Sequence, residues 1–169
     1  VGYESLFAGG EHYPGGNFGI DFGYDFGGSF GLQTGIKYAI NSKVIQVNDL
    51  DDNLVDFKSE LNSVHVPLMF RYKFTKLTQK YSKPLSLNLL AGADYSFMDR
   101  KGLHQLGFVA GAEYDIFTQA DLMFTVGLRG GVYNNLNRGK VEIVENLTPI
   151  NYTLSAYIAI RFIDWAKKD

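Results

Sequence analysis

Apolar and polar residues alternate with a period of two in eight separate segments of the chain. In 152–162, one face carries Tyr, Leu, Ala, Ile, Ile and Phe, and the other carries Thr, Ser, Tyr, Ala and Arg. Such alternation predicts β-strands that separate two environments. Most segments have 10 to 13 residues, which matches the roughly 9–11 residues of a tilted strand that crosses a bilayer. The predicted strands are 1–8, 17–26, 30–40, 64–74, 85–97, 106–117, 122–133 and 152–162.

The connections between these strands alternate in length. Those at 27–29 and 118–121 are short and the one at 76–84 is of medium length, whereas those at 41–63 and 134–151 are long. Short turns at one rim and long loops at the other are typical of an up-and-down barrel inserted from one side. We therefore expect an all-β fold, a transmembrane closed antiparallel barrel of eight strands with a polar, charged lumen. It forms one domain over 1–169, with both termini in the periplasm and a periplasmic tail at 163–169.

Composition excludes several classes of function. The net charge of −2 over 169 residues gives no basic surface for nucleic acid. Without cysteine the chain has no disulfide, thiolate metal site or cysteine nucleophile. It also lacks a phosphate-binding glycine loop and a metal-ligand spacing of His and Glu. We therefore expect no cofactor, no resident metal and no nucleic-acid partner.

Three features predict that the apolar face of the barrel points outward. The apolar face carries too many bulky residues for the interior of an eight-stranded barrel, which is barely wide enough for side chains. Ten of the eleven glycines in the predicted strands lie on the polar face, where a crowded interior needs small residues. A soluble carrier with its apolar face inward is the alternative.

The third feature is the position of the aromatic residues, which concentrate near the strand ends of the apolar face. Two such rings around an aliphatic band are the interfacial girdles of an outer-membrane barrel. The ring at the short-turn end comprises Tyr24, Phe26, Phe30, Tyr72, Phe74 and Phe162. The ring at the long-loop end comprises Phe18, Tyr38, Tyr95, Phe97 and Tyr152.

The polar face carries ionisable residues of both signs in the middle of the strands. Because buried charges must be paired, this balance predicts a salt-bridge network that closes the lumen. We expect Arg71 and Arg129 at its centre, with Asp94 and Glu113 as their partners. The predicted network comprises Glu4, Asp21, Asp25, Lys37, Arg71, Lys73, Asp94, Glu113, Asp115, Arg129 and Arg161.

The long loops carry β-branched and aromatic residues among polar ones. Segments 43–47 and 55–58 are expected to pair across the acidic turn 48–53 and to extend strands three and four, and 141–144 to extend strand seven. Protruding strand edges invite a partner strand. The candidate partner residues are Val44, Val47, Asp49, Asp51, Asp52, Val55, Phe57, Val141 and Ile143.

Ser63 and His65 are the only catalytic candidates that we single out. They share one face of a strand, and Glu60 lies nearby in the sequence. A hydrolase needs a serine, a base and an orienting acid that converge where the substrate binds. Since these side chains are expected to point into the barrel or the loop, we predict no enzymatic activity.

Three stretches resemble small eight-stranded outer-membrane proteins of the OmpA/OmpX type. They are VHVPLMFRYKF at 64–74, LGFVAGAEYD at 106–115 and GLRGG at 127–131. They are most similar to the porin-like and PorT-like "outer membrane protein β-barrel domain" proteins of Bacteroidetes-type bacteria. The resemblance implies a fold and a location in the Gram-negative outer membrane, and it implies that Phe162 serves as the aromatic insertion signal.

The sequence thus favours a non-enzymatic protein of the bacterial outer membrane. It would act through its extracellular loops, or as a subunit of an outer-membrane complex, and its partners would be outer-membrane lipids, lipopolysaccharide and another protein. A narrow porin for small solutes is the first alternative. A lipid-modifying enzyme that depends on Ser63 and His65 is the second.

Overall fold

Eight β-strands account for almost all of the residues that the computed structural model describes, which are 1–8, 10–27, 29–48, 54–74, 85–98, 102–117, 122–136 and 150–162. None of these residues belongs to a helix that could cross a membrane. The strands are β1 (Gly2–Ala8), β2 (Glu11–Gly27), β3 (Phe30–Asn48), β4 (Leu54–Phe74), β5 (Leu85–Met98), β6 (Leu103–Phe117), β7 (Leu122–Asn135) and β8 (Ile150–Phe162).

The strands form one closed barrel in the order β1 to β8, and every neighbouring pair is antiparallel. A path from each residue to its cross-strand partner, which starts at Gly15 of β2 and passes once around the wall, returns to β2 at Asp25. This offset of ten residues is the stagger of the barrel. Eight strands with this stagger tilt by about 40° from the barrel axis and leave a backbone radius of about 8 Å. An interior of this width is filled by side chains.

Several strands are longer than the sequence pattern predicts. Strand β2 begins at residue 11 instead of 17, β3 ends at 48 instead of 40, and β4 begins at 54 instead of 64. The other predicted ends are correct to within three residues. The pattern fails in these places because apolar residues no longer occupy one face regularly, while the backbone pairing continues.

Strands β3 and β4 continue as a two-stranded hairpin beyond the barrel wall. Their pairing runs to Asn48↔Leu54, whereas β2 pairs with β3 only up to Gly15↔Asn41 and β5 pairs with β4 only up to Ser63↔Met98. We call 42–48 and 54–62 the β3–β4 hairpin. It includes the pairing of 43–47 with 55–58 that the sequence predicts.

Candidate functional site

The outer wall of the barrel is apolar. Among the described residues, 33 large apolar side chains are exposed, including Phe22 (64%), Phe70 (66%) and Leu128 (59%). Except for Val1, Val44 and Leu136, they lie on the outward face of the strands of the wall. This is the outward orientation that the sequence predicts for the apolar face.

Most of the predicted aromatic residues are exposed on this wall and lie at two levels. Phe18, Tyr24, Phe26, Phe30, Tyr72, Phe74, Tyr95 and Tyr152 are exposed, while Tyr38 and Phe97 are half-buried. Phe30 contacts Tyr72 with ring centroids 5.1 Å apart, and Phe18 contacts Tyr38 at 5.5 Å. Phe18 and Phe26 are eight residues apart on β2, which corresponds to about 20 Å along the axis of a barrel tilted by about 40°.

Arg129 of β7 organises the charges in the middle of the lumen. Its Nη2 donates to Glu113 Oε1 at 2.9 Å and to Asp21 Oδ2 at 3.0 Å. Its Nε donates to the hydroxyl oxygen of Tyr157 at 2.8 Å, and that hydroxyl donates to Glu113. Arg129 and Glu113 are 3% and 1% exposed. The cluster therefore joins β2, β6, β7 and β8 across the interior.

Arg71 lies in a different cluster, toward the end of the barrel with the short turns. Arg71 Nη2 donates to Asp25 Oδ1 and Lys73 Nζ donates to Asp25 Oδ2, both at 2.5 Å. The expectation that Arg71 joins Asp94 and Glu113 is wrong, because the register of β2, β3 and β4 brings Asp25 next to Arg71, with only Gly31 between them. This cluster carries two cations for one carboxylate.

Asp115 of β6 is held mainly by neutral donors. Asn88 Nδ2, Thr125 Oγ1 and Ser86 Oγ donate to its carboxylate at 2.5, 2.6 and 3.3 Å. The carboxylate is 1% exposed, so these hydrogen bonds replace the water that it loses on folding. No sequence signal singled out these three partners, which are assembled from β5 and β7.

Glycines make room for aromatic rings inside the lumen. A Cβ atom at Gly127 would collide with the ring of Tyr157, and one at Gly107 would collide with the ring of Tyr133. The ring of Tyr157 in turn lies under the Arg129 guanidinium, 4.4 Å from its centroid. These contacts explain why glycine occupies the polar face of β6 and β7.

A third polar cluster lies nearer the end of the barrel that carries the hairpin. Ser63 Oγ lies within hydrogen-bond distance of His65 Nε2, at 2.8 Å, and His65 Nδ1 lies 2.9 Å from Asp94 Oδ2. Tyr133 also donates to Asp94 Oδ2, at 2.6 Å. The sequence placed Asp94 in the charge network but missed its pairing with His65, which depends on the register between β4 and β5.

Glu4 and Lys37 lie in the lumen beside this third cluster, in the half of the barrel that carries the hairpin. Asn17 Nδ2 donates to Glu4 Oε2 at 3.0 Å, and Glu4 Oε1 lies 4.0 Å from His65 Nε2. Lys37 is a further cation of this region, and its charge interacts with that of Arg129 and with the carboxylates of Glu4, Asp94 and Asp21.

A cluster of apolar side chains lies between these polar residues and the end of the barrel that carries the hairpin. We call it the apolar cap, and it consists of Leu6, Ala8, Tyr13, Leu61, Met98 and Leu103. All six point into the lumen and none is more than 6% exposed. The lumen is therefore closed by apolar side chains at one end and by charge pairs in the middle.

The base of the β3–β4 hairpin is joined to β2 by an ion pair. Lys43 Nζ lies 2.9 Å from Glu11 Oε1, and its hydrogen bond lowers the pKa of that carboxyl group. On the other strand, Lys58 Nζ lies 3.0 Å from Glu60 Oε1. Glu60, which the sequence offers as an acid near Ser63, thus contacts Lys58.

Some of the predicted residues fall outside the described part of the chain. Positions Asp49, Asp51, Asp52, Val141, Ile143 and the tail 163–169 lie there entirely. The backbones of Val47, Val55, Phe57, Arg161 and Phe162 are in strands, but their side chains are not described. Within the described ranges, no group of three or more His, Asp and Glu residues has the arrangement of a metal site.

Comparison with known proteins adds no relative. No protein-family model, no curated protein and no solved structure matches the chain.

Proposed function

We propose that this chain is an integral protein of the bacterial outer membrane, a transmembrane up-and-down barrel with periplasmic termini. In this proposal it belongs with the small eight-stranded barrels of the OmpA/OmpX type that its sequence resembles. The observation that supports it best is the inverted distribution of side chains. Apolar residues cover the outside of the barrel, and the charged residues Glu4, Asp94, Glu113, Asp115 and Arg129 are buried inside.

The size of the apolar surface argues for lipid as its solvent. Removing one large apolar side chain from water is worth about 1.5–3 kcal/mol. With 33 such side chains exposed, a barrel in plain water would forgo stabilisation on the order of tens of kcal/mol. Monomeric soluble proteins rarely expose continuous apolar patches of more than a few hundred Å². Two levels of aromatic residues about 20 Å apart also fit an apolar band about 25 Å tall.

The interior favours a structural or interaction role over transport. Arg129 bridges carboxylates from β2 and β6 across the lumen, and the apolar cap covers one end. A narrow porin would need a continuous polar path through these contacts. The two functions are distinguished by the conductance of purified protein in planar bilayers.

The β3–β4 hairpin is the surface that we propose for a partner. It stands beyond the barrel wall, with Lys58 (61% exposed side chain) and Val44 (58%) facing solvent. Its outer edges have no strand partner among the described residues. Exposed edges of this kind bind another chain by strand addition, at the level where lipopolysaccharide and surface proteins meet the barrel.

Single-cysteine variants test the membrane orientation, because the natural chain has no cysteine. A fluorophore at Val126→Cys or Leu128→Cys should be quenched by spin-labelled lipid after refolding into vesicles. The matched control, Lys58→Cys on the hairpin, should be quenched by aqueous iodide instead. If all three positions respond to iodide alone, the membrane proposal is wrong.

Cross-linking in intact outer membranes tests the role of the hairpin. Replacing 44–58 with a short Gly-Ser turn should abolish the protein partners that mass spectrometry identifies. Gly127→Ala, which alters only the lumen, serves as the control and should keep those partners. Partners that survive loss of the hairpin would exclude it as the binding surface.

A further inference from the structure

Ser63, His65 and Asp94 form a hydrogen-bonded chain with the order and polarity of a catalytic triad. The serine hydroxyl is 2.8 Å from His65 Nε2, and the carboxylate is 2.9 Å from His65 Nδ1 on the opposite side of the ring. In the neutral tautomer that carries its proton on Nδ1, His65 donates to Asp94 and presents the lone pair of Nε2 to Ser63. This arrangement activates a serine as a nucleophile.

The surroundings hold the histidine firmly. Tyr133 donates to Asp94 at 2.6 Å, and its ring packs edge-on against His65 with centroids 5.7 Å apart. A second carboxylate oxygen, Glu4 Oε1, lies 4.0 Å from His65 Nε2. An imidazolium formed when Ser63 loses its proton would therefore lie between two carboxylates.

Two further side chains next to the serine have hydrogen-bonding capacity that the protein leaves unused. Ser96 Oγ and Asn41 Nδ2 are buried without a hydrogen-bond partner among the described residues. Ser96 is paired with His65 across β4 and β5. Asn41 is two residues from Ala39, which is paired with Ser63 across β3 and β4. Both groups are donors that a developing oxyanion requires.

We propose that Ser63 is the nucleophile of an acyl-transfer site that accepts small carboxylic esters. Ser63 Oγ would bond to the ester carbonyl carbon while its proton passes to His65 Nε2. The ester C–O bond would then break, and the leaving alcohol would take the proton from His65. Water, deprotonated by His65, would release the acid and restore the Ser63 hydroxyl. This activity goes beyond the proposed interaction role and does not depend on it.

The apolar cap defines how a substrate reaches the serine. Ser63 is 2% exposed, and it is paired directly with Met98, a residue of the cap. A short acyl chain displaces Met98 at low cost because methionine side chains are flexible. A polar ester would lose its hydrogen bonds to water without gaining others among the apolar side chains of the cap. We therefore expect selectivity for short apolar acyl groups, and faster reaction when the cap is opened by Met98→Ala.

A fluorophosphonate probe tests the nucleophile directly in detergent-solubilised, folded protein. Mass spectrometry should locate the phosphonyl adduct on Ser63 in the wild type, and Met98→Ala should increase the labelling rate several-fold. Since mapping the adduct on the natural chain needs no substitution, this result is independent of whether any variant folds. Absence of a Ser63 adduct from both proteins would overturn the proposal.

Substitutions distinguish a Ser63 hydroxyl that His65 activates from one that is merely accessible to the probe. His65→Gln should slow the labelling of Ser63 by at least about 100-fold, the usual contribution of a general base. Asp94→Asn, which changes a positioning residue, should slow it by at least about tenfold, while circular dichroism and the heat-dependent gel mobility stay those of the wild type. Ser155→Ala, which removes another buried serine, is the control and should react as the wild type does. Equal labelling of the wild type and His65→Gln would overturn the proposal.

Discussion

Replacing Arg129 with methionine should remove the cation that bridges Glu113 and Asp21 in the middle of the lumen. The guanidinium donates to Glu113 at 2.9 Å and to Asp21 at 3.0 Å. Methionine fills a similar volume but donates no hydrogen bond. The variant therefore isolates the electrostatic contribution of Arg129 from its packing.

The expected cost follows from the burial of the two partners. The Glu113 side chain is 0% exposed, so its charge has no water to replace Arg129. Breaking such a buried pair costs about 3–5 kcal/mol. Asp21 is 20% exposed and regains part of its hydration, so it adds about 1 kcal/mol or less. We expect Arg129→Met to lower the free energy of unfolding by about 3–6 kcal/mol in total.

A second substitution separates the charge effect from other damage. Glu113→Gln in the Arg129→Met background removes the uncompensated charge and keeps the shape. The double variant should therefore recover about 2–3 kcal/mol of the loss, a coupling of the size found for residues in contact. Urea unfolding of protein refolded into lipid vesicles, followed by far-ultraviolet circular dichroism and heat-dependent gel mobility, measures all three variants. If the two single losses simply add in the double variant, the charge-pair explanation of the network is refuted.

Three further predictions address the wall, the packing of the lumen and its closure. Leu128→Lys should lower the free energy of unfolding in vesicles by about 2–4 kcal/mol, whereas Val44→Lys on the hairpin should change it by less than about 0.5 kcal/mol; equal effects in urea titrations would argue against a lipid-facing wall. Gly127→Ala should cost about 1–3 kcal/mol, because its methyl group overlaps the Tyr157 ring, and Tyr157→Leu should relieve that cost in a double-mutant cycle. The wild type should give no discrete current steps in planar bilayers, and a stable conductance would show that the lumen is open.

The orientation of the side chains could be predicted from the sequence because it depends only on local periodicity. In a strand, successive side chains point to opposite faces. Once 152–162 is a strand, Leu154 and Ile158 must share one face and Ser155 and Tyr157 the other. The structure places the first pair outside and the second inside. Closure of eight such strands follows from their number and length.

The extent of the strands at the hairpin could not be predicted from the same pattern. Lys43 and Lys58 lie outside the eight segments of the period-two pattern, so that pattern does not extend the wall strands to them. Backbone pairing, which involves no side chain, continues to Asn48↔Leu54. The β-branched and aromatic residues of 43–47 and 55–58 predict that these segments pair, and the ladder fixes the ends of the two strands at Asn48 and Leu54.

Only the tertiary structure determines which charged side chains pair with one another inside the lumen. The sequence identifies Arg71, Asp25 and Asp94 as inward-facing charges, but not which of them meet. Pairing depends on the register of neighbouring strands and on the stagger of ten residues around the barrel. The register of β2, β3 and β4 places Asp25 against Arg71, and the register of β4 and β5 places Asp94 against His65. Distances across a closed barrel are a property of all eight strands together, so no single strand's sequence contains them.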